Sequence, residues 1–190
     1  MELNILASKS PRRKNLLNKI GFKFSVVPSK YKENLNSNVP PEALAESLAR
    51  GKAMKIAKAY KSNIIIGADT VVSLNGKLFG KPRDNQESFE MLKMLSGKSH
   101  EVITGVSIIL QSENIDYTFN QRTYVTMTNI SDEEIVTYIN NYNPADKAGS
   151  YGIQDGFSIF IKKINGCFFN VMGFPLSKFY KQYNNIFTPS

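Results

Sequence analysis

The apolar positions change period several times along the chain, and each change predicts a new element. Leu3-Asn4-Ile5-Leu6-Ala7 reads as a short strand. Pro11 then suits a first helical position, because its φ is fixed and its missing N–H is one a helix start leaves unpaired; Ser10 is the natural cap. Gly21 stops that helix, and Phe22 to Val27 reads as a second strand. Leu44, Ala45, Leu48, Ala49, Ala53, Ile56, Ala57 and Tyr60 recur at helical spacing, predicting an amphipathic helix over 41–60 that displays Arg50 and Lys52 near one another.

Ile64 to Leu74 is an apolar run interrupted by Asp69, so it predicts a central strand, followed by an Asn75-Gly76 turn and a return segment from Lys77 to Phe79. Asp84 with Glu87 has the spacing of a capping box, opening a helix with Phe89, Met91, Leu92 and Leu95 on its apolar side and Gly97 at its end. Two long extended stretches follow, His100 to Leu110 and Asp116 to Thr128. Ser131 with Glu134 makes a second capping box, for a helix ending before Pro144. The remainder reads as a Gly-rich loop from Asp146 to Gly156, a strand from Phe157 to Ile164, an Asn165-Gly166 turn and a closing helix after Pro175. This order predicts a mixed α/β fold with antiparallel hairpins, unlike a regular doubly wound sheet.

Composition narrows the class. A chain of 190 residues that is 42% hydrophobic suffices for a substantial core and fits one domain over residues 1–190. Cys167 is the single cysteine, which excludes an intramolecular disulfide and a cysteine-cluster metal site; burial beside a strand is its expected role, and a reducing cytoplasm its expected compartment. No secretory signal is visible, and no membrane span is expected, since the most apolar segment, Ile64 to Leu74, is interrupted by Asp69. The net charge of +8 points to polyanionic partners, without choosing between nucleotides, nucleic acids and anionic membranes.

Candidate chemistry starts at Ser8-Lys9-Ser10-Pro11-Arg12-Arg13, where a strand turns into a helix. Unpaired backbone donors and the positive end of the helix dipole stand there beside two arginine forks, which suits a phosphate chain. Asp69, inside an apolar strand, needs a metal or a cation to be tolerated as a carboxylate. Glu33 is a second oxygen ligand candidate. Gly80-Lys81-Pro82 is not a P-loop, since the glycine spacing is one short and Pro82 stands where the magnesium-binding hydroxyl belongs, but Lys81 still offers a point charge, as does Lys52. His100, the only histidine, rules out a multi-histidine metal site and is expected to be structural. The glycines of Asp146 to Gln154 permit close backbone approach, and the Gln154 amide carries both a donor and an acceptor.

Together these segments resemble the Maf family of nucleoside triphosphate pyrophosphatases. The resemblance runs from Ile5 nearly to Leu176, through Leu6 to Arg13, Gly67-Ala68-Asp69-Thr70, Gly80-Lys81-Pro82, Leu95-Ser96-Gly97 with His100 and Thr104-Gly105, and Asp146 to Gln154. It implies an elongated mixed sheet with flanking helices, two lobes around a cleft, and a relation to the inosine triphosphatase group. It also implies Mg²⁺- or Mn²⁺-dependent cleavage between the α- and β-phosphates, releasing a nucleoside monophosphate and diphosphate. Asp69 would be catalytic and share the metal with Glu33, while Ser8, Arg13, Lys52 and Lys81 would surround the triphosphate.

Arg12, Thr70 and Gln154 are similar to the branch acting on dTTP and UTP, whereas the branch acting on 7-methyl-GTP has an aromatic residue, a glutamine and a glutamate there. A glutamine amide matches the N3–H and carbonyls of uracil or thymine, and a carboxylate suits a cationic methylated guanine. The resemblance further implies a homodimer. It leaves two rivals: a basic nucleic-acid-binding or septum-formation regulatory protein, and a purine or 7-methyl-GTP pyrophosphatase. A stable nucleic-acid complex is not expected, because neither a continuous basic face nor interleaved aromatics is evident. Gly51 and Phe174 depart from the family pattern, bearing on the pose of Lys52 and on local packing.

Overall fold

The computed structural model describes residues 4–32 and 39–188, so Glu33 lies outside the described residues. In chain order the elements are β1 (Asn4–Leu6), α1 (Pro11–Lys19), β2 (Phe24–Val26), α2 (Pro41–Ala57), β3 (Ile65–Leu74), β4 (Lys77–Phe79), α3 (Asn85–Leu95), β5 (Ser99–Leu110), β6 (Ile115–Met127), α4 (Asp132–Tyr142), β7 (Ile161–Asn165), α5 (Phe168–Val171) and α6 (Leu176–Phe187). The strands form one mixed sheet in the order β2-β1-β3-β5-β6-β7, with β4 paired to β3. β1 runs parallel to β2 and β3, and the other pairings are antiparallel.

One edge of β3 is shared by two short strands and, among the described residues, left open between them. β1 pairs with Ile65 and Ile66, β4 with Val72 to Leu74, and neither reaches Gly67 to Val71. The opposite edge is paired with β5 continuously from Ile65 to Ser73. The open stretch contains Asp69 and Thr70, so the sheet itself supplies a gap at the residue the sequence marks as out of place.

Strand alternation puts neighbours on opposite faces. Ile65 and Val71 pack under α2, with Ala53, Ile56, Ala45 and Leu48. Gly67 and Gly105 let this helix come close, because a Cβ on either would strike the α2 backbone at Ala49 or Ala45. On the other face are two separate apolar clusters. One joins Leu6, Ile66 and Ala68 to α1 and α6; the other joins Val72 and Val102 to α3, α4 and the segment from Tyr151 to Phe160. These clusters are the cores of two lobes, and the space between them is the cleft.

Three local expectations are corrected. The predicted strand Phe157–Ile164 begins instead with a 3-10 helix, Gly156–Phe160, and extends only from Ile161. Asp155 caps that turn by accepting from the Phe157 N–H at 3.0 Å, and three-residue spacing brings the Phe157 and Phe160 rings together at 5.3 Å, where a strand would send them to opposite faces. The Asp84 capping box is only half made. Asp84 accepts from the Glu87 N–H at 2.8 Å, but the Glu87 carboxylate turns to the backbone N–H and the charged Nε of Arg83, at 2.7 and 2.9 Å, two donors in place of one amide. The Ser131–Glu134 box is complete. Cys167 is half-buried at the start of α5, where its N–H donates to Thr123 Oγ1 at 3.0 Å.

Candidate active site

The cleft holds a cavity of about 750 Å³, lined by β1–α1, the open edge of β3, Ser29 to Tyr31 after β2, Lys81, and the loop from Asp146 to Gln154. Ser8, Arg12, Arg13, Lys52, Asp69, Thr70, Lys81 and Gln154 all line it. Among the described lining residues, seven Lys and Arg side chains face two carboxylates, Asp69 and Asp146. A concave site with this excess of cations focuses positive potential on whatever enters.

Asp69 is 8% exposed. Its Oδ1 takes Lys52 Nζ at 3.0 Å from the α2 side and the Thr70 N–H at 3.0 Å, with Arg13 Nη2 at 3.9 Å from the α1 side. The two cations reach one carboxylate from opposite faces because the sheet edge is open there. All three of these contacts fall on Oδ1, and Asp69 lines the cavity.

Arg13 is itself buried, at 8% exposure. Ser10 holds the helix start, accepting from the Arg13 N–H at 3.5 Å. The Arg13 fork then donates from Nε to Gly173 O at 2.9 Å, from Nη1 to Ser8 Oγ at 3.2 Å and from Nη2 to Thr70 Oγ1 at 3.1 Å. Ser8 Oγ also accepts from the Ser10 N–H at 3.2 Å, so its own proton is available to an anion in the cavity.

Arg12, one residue earlier, has a different setting. Its Nη1 lies 2.5 Å from Asp146 Oδ2 and its Nη2 3.2 Å from Asp146 O, linking α1 to the opposite wall. Burial raises the Asp146 carboxyl, but the Arg12 hydrogen bond and charge, aided by Lys147, outweigh it and hold that carboxyl below its usual value.

The Asp146–Gln154 loop is tied down. Gly149 N–H donates to Gly80 O at 3.0 Å, Ser150 Oγ meets Ser88 Oγ at 2.5 Å, Gly152 N–H donates to Tyr138 Oη at 3.1 Å, and Tyr151 Oη meets His100 Nε2 at 2.8 Å. Gly149 takes φ +69°, a conformation glycine adopts without strain. His100 is fully buried, and desolvation pushes its pKa down to about 4, so it stands neutral as a structural anchor. Gln154 is exposed, with no hydrogen-bond partner among the described residues.

Sequence reasoning missed Lys147 as a lining cation. It is held 3.4 Å from Asp146 and 3.6 Å from Asp155, and only its place in the Asp146-Lys147 pair hinted at it. Tyr31 was also missed. Its ring lies over Gly51, where any Cβ would collide with it, so the family departure at Gly51 makes room for an aromatic beside Lys52. The departure at Phe174 is absorbed in the core, where its ring meets Phe179 edge-on at 5.0 Å.

Residues 4–186 match the family model described as "Maf-like protein". The chain is 47% identical over 177 residues to a dTTP/UTP pyrophosphatase of Carboxydothermus hydrogenoformans, covering 93% of this chain and 95% of that one. It is 51% identical over 174 residues to a dTTP/UTP pyrophosphatase of Thermosipho africanus, covering 92% and 88%. A dTTP/UTP pyrophosphatase of Bacillus pumilus is 46% identical over 174 residues, covering 92% and 91%. The family motifs converge on one cleft and the match runs from the first residue of β1 into the last turn of α6: the chain belongs to the Maf family.

Proposed function

We propose that this protein hydrolyses dTTP and UTP to the nucleoside monophosphate and diphosphate. The observation that carries the reading is the buried Asp69 carboxylate, flanked by Lys52 and Arg13 within one cation-lined cavity. Ser8, Arg13, Lys52 and Lys81 bind the triphosphate oxygens, and their charge stabilises the negative charge that builds on the α-phosphate and the leaving diphosphate. Water attacks the α-phosphorus, the α–β anhydride bond breaks, and the diphosphate departs with the bond's electron pair. Lys52 and the Thr70 N–H hold the Asp69 carboxylate by Oδ1 in the cavity wall, where it meets the substrate.

The donor set fits a hard divalent cation, which is held by one or two carboxylates together with substrate phosphates. Asp69 would hold it, with Glu33, outside the described residues, as the expected partner; the described residues contain no group of three or more His, Cys, Asp or Glu able to hold a metal. When bound, Mg²⁺ or Mn²⁺ makes a coordinated water more acidic and neutralises phosphate charge. Gln154 reads the pyrimidine edge, with Arg12 contributing to base choice, while the Thr70 hydroxyl is engaged with Arg13. The gathering of seven Lys and Arg side chains around one cavity supports a small nucleotide over a nucleic-acid polymer or a septum-formation regulator. We read the whole chain as one domain acting as a cytoplasmic homodimer; no helix among the described residues is long and apolar enough to cross a membrane.

The test is a nucleotide panel with separate detection of phosphate and diphosphate. dTTP and UTP should give diphosphate only with a divalent metal, and excess chelator should stop the reaction. Orthophosphate release would overturn the bond assignment, and preferential turnover of ITP or 7-methyl-GTP would move the protein to a purine branch. Salt-sensitive DNA or RNA binding without turnover would favour the nucleic-acid rival.

A further inference from the structure

The hydrogen-bond directions around Arg13 follow from proton counting. Arg13 Nη2 only donates, so Thr70 Oγ1 accepts from it at 3.1 Å. At the far end Asn170 O only accepts, so Thr104 Oγ1 gives it its single proton, at 3.1 Å. The 2.9 Å contact between the two threonine hydroxyls therefore has one solution: Thr70 donates and Thr104 accepts. The chain closes on itself, because Gly173 N–H donates to the same Asn170 O at 2.9 Å and Gly173 O accepts from Arg13 Nε at 2.9 Å.

The register makes this ring possible. Thr70 of β3 stands directly across from Thr104 of β5, on the face away from α2, between the two lobe cores. Thr104 and Asn170 are fully buried. The Asn170 amide is itself pinned, donating to Val102 O and Thr123 Oγ1, both at 3.0 Å. The Arg13 fork is thus held along two edges by a ring whose far side, Thr104 and Asn170, is fully buried.

We propose that Thr104 is a positioning residue for the triphosphate site, acting through Thr70 on Arg13, and that Thr70 bears on the substrate through Arg13 because its hydroxyl proton is committed inward. The proposal rests on reading the cavity as the triphosphate site. A phosphate-holding arginine serves every nucleotide alike, so disturbing the ring lowers turnover independently of the base, unlike a change at Gln154.

The experiment compares Thr104→Val, which keeps the shape and removes the hydroxyl, with Thr104→Ser, which keeps it. Thr104→Val should lower kcat/KM roughly 5- to 30-fold, the scale of one lost hydrogen bond to a charged group, by the same factor for dTTP and UTP and chiefly through kcat. Thr104→Ser should recover to within about twofold. Thr70→Val should reproduce the loss, and the double variant should be no worse than either alone, since both cut one ring. Unchanged kcat/KM in folded Thr104→Val, a loss confined to one base, or losses that multiply would each overturn the proposal.

Nuclear magnetic resonance of the Arg13 Hε and Hη protons in the nucleotide-free protein gives a readout independent of turnover. Their exchange with water should be slow in wild type and Thr104→Ser, and faster in Thr70→Val. Equal exchange in all three would refute the ring even if the nucleotide assay fails, and would do so if Thr104→Val does not fold.

Discussion

Arg12 and Arg13 are neighbours in sequence and opposites in setting, and they represent the two walls of the cleft. Arg13 belongs to a wall made of β1, α1 and the open edge of β3, where it is buried and its donors go to Gly173 O, Ser8 and Thr70. Arg12 reaches across to the Asp146–Gln154 loop and meets a carboxylate that is 55% exposed. A buried, multiply bonded cation loses most of its freedom in folding and is ready to stabilise developing charge without reorganising. An exposed pair is screened by water and salt and exchanges partners at little cost. On the function proposed above, the first wall would serve chemistry common to all nucleotides and the second discrimination among them.

The largest effect expected on this contrast is at Asp69. Asp69→Asn keeps volume and loses charge, and kcat should fall roughly 100-fold or more while the fold survives, as followed by activity and thermal melting on the same sample. Near-normal turnover in a folded variant would make Asp69 a structural residue and erase the distinction between the walls.

The loop wall is anchored through His100, which sets a pH dependence of stability. Its folded pKa of about 4 lies below the usual 6.5, so between these values the unfolded chain binds a proton that the folded one refuses. Stability from this group is complete above about pH 6.5, declines as pH falls, and is lost below about pH 4, a total of roughly 3 kcal/mol. Chemical denaturation at pH 7, 6, 5 and 4 measures the slope, and His100→Phe should flatten it over that window. An unchanged slope would show that His100 is solvated on the time scale of titration.

Gln154→Glu sharpens the comparison through its selectivity. Replacing a donor by an acceptor with negative charge should reduce kcat/KM for UTP on the order of 10- to 100-fold, while 7-methyl-GTP suffers less or gains. Equal losses on both would mean that Gln154 supports the loop or the phosphates and does not read the base.

The smallest effect is the one that sets the arginines apart. Arg13→Lys should cost roughly 30-fold in kcat/KM, because an ammonium cannot reproduce a fork, whereas Arg12→Lys should cost about fivefold or less and shrink further in high salt. Steady-state kinetics at two ionic strengths decides it. Comparable losses would show that the Arg12–Asp146 pair is as much a part of the phosphate wall as Arg13.

Much of this was legible along the chain. Periodicity and caps placed α1, α2, α4 and the long strands, because these signals are local and repeat within a few residues. Asp69 could be singled out because an ionised carboxylate in an apolar strand needs a cation wherever the strand ends up. The 3-10 turn at Gly156–Phe160 was not legible as such: a short apolar run suits several conformations, and the aromatic cluster with Tyr138 and Tyr151 selected one of them. Nor did sequence show that the Gly-rich loop is fastened, since its anchors Gly80, Ser88, His100 and Tyr138 come from four distant segments.

By itself, then, the sequence determined which residues carry charge, where helices begin, and that Asp69 and Thr70 must point to opposite faces of one strand, because these follow from residue chemistry and a period of two. Only the tertiary structure decided that the β3 edge stays open between β1 and β4, that Lys52 and Arg13 meet Asp69 from opposite faces, and that Thr70 stands across from Thr104. Those outcomes depend on strand order and register, and register is set by contacts among residues far apart in the chain, which no local pattern encodes.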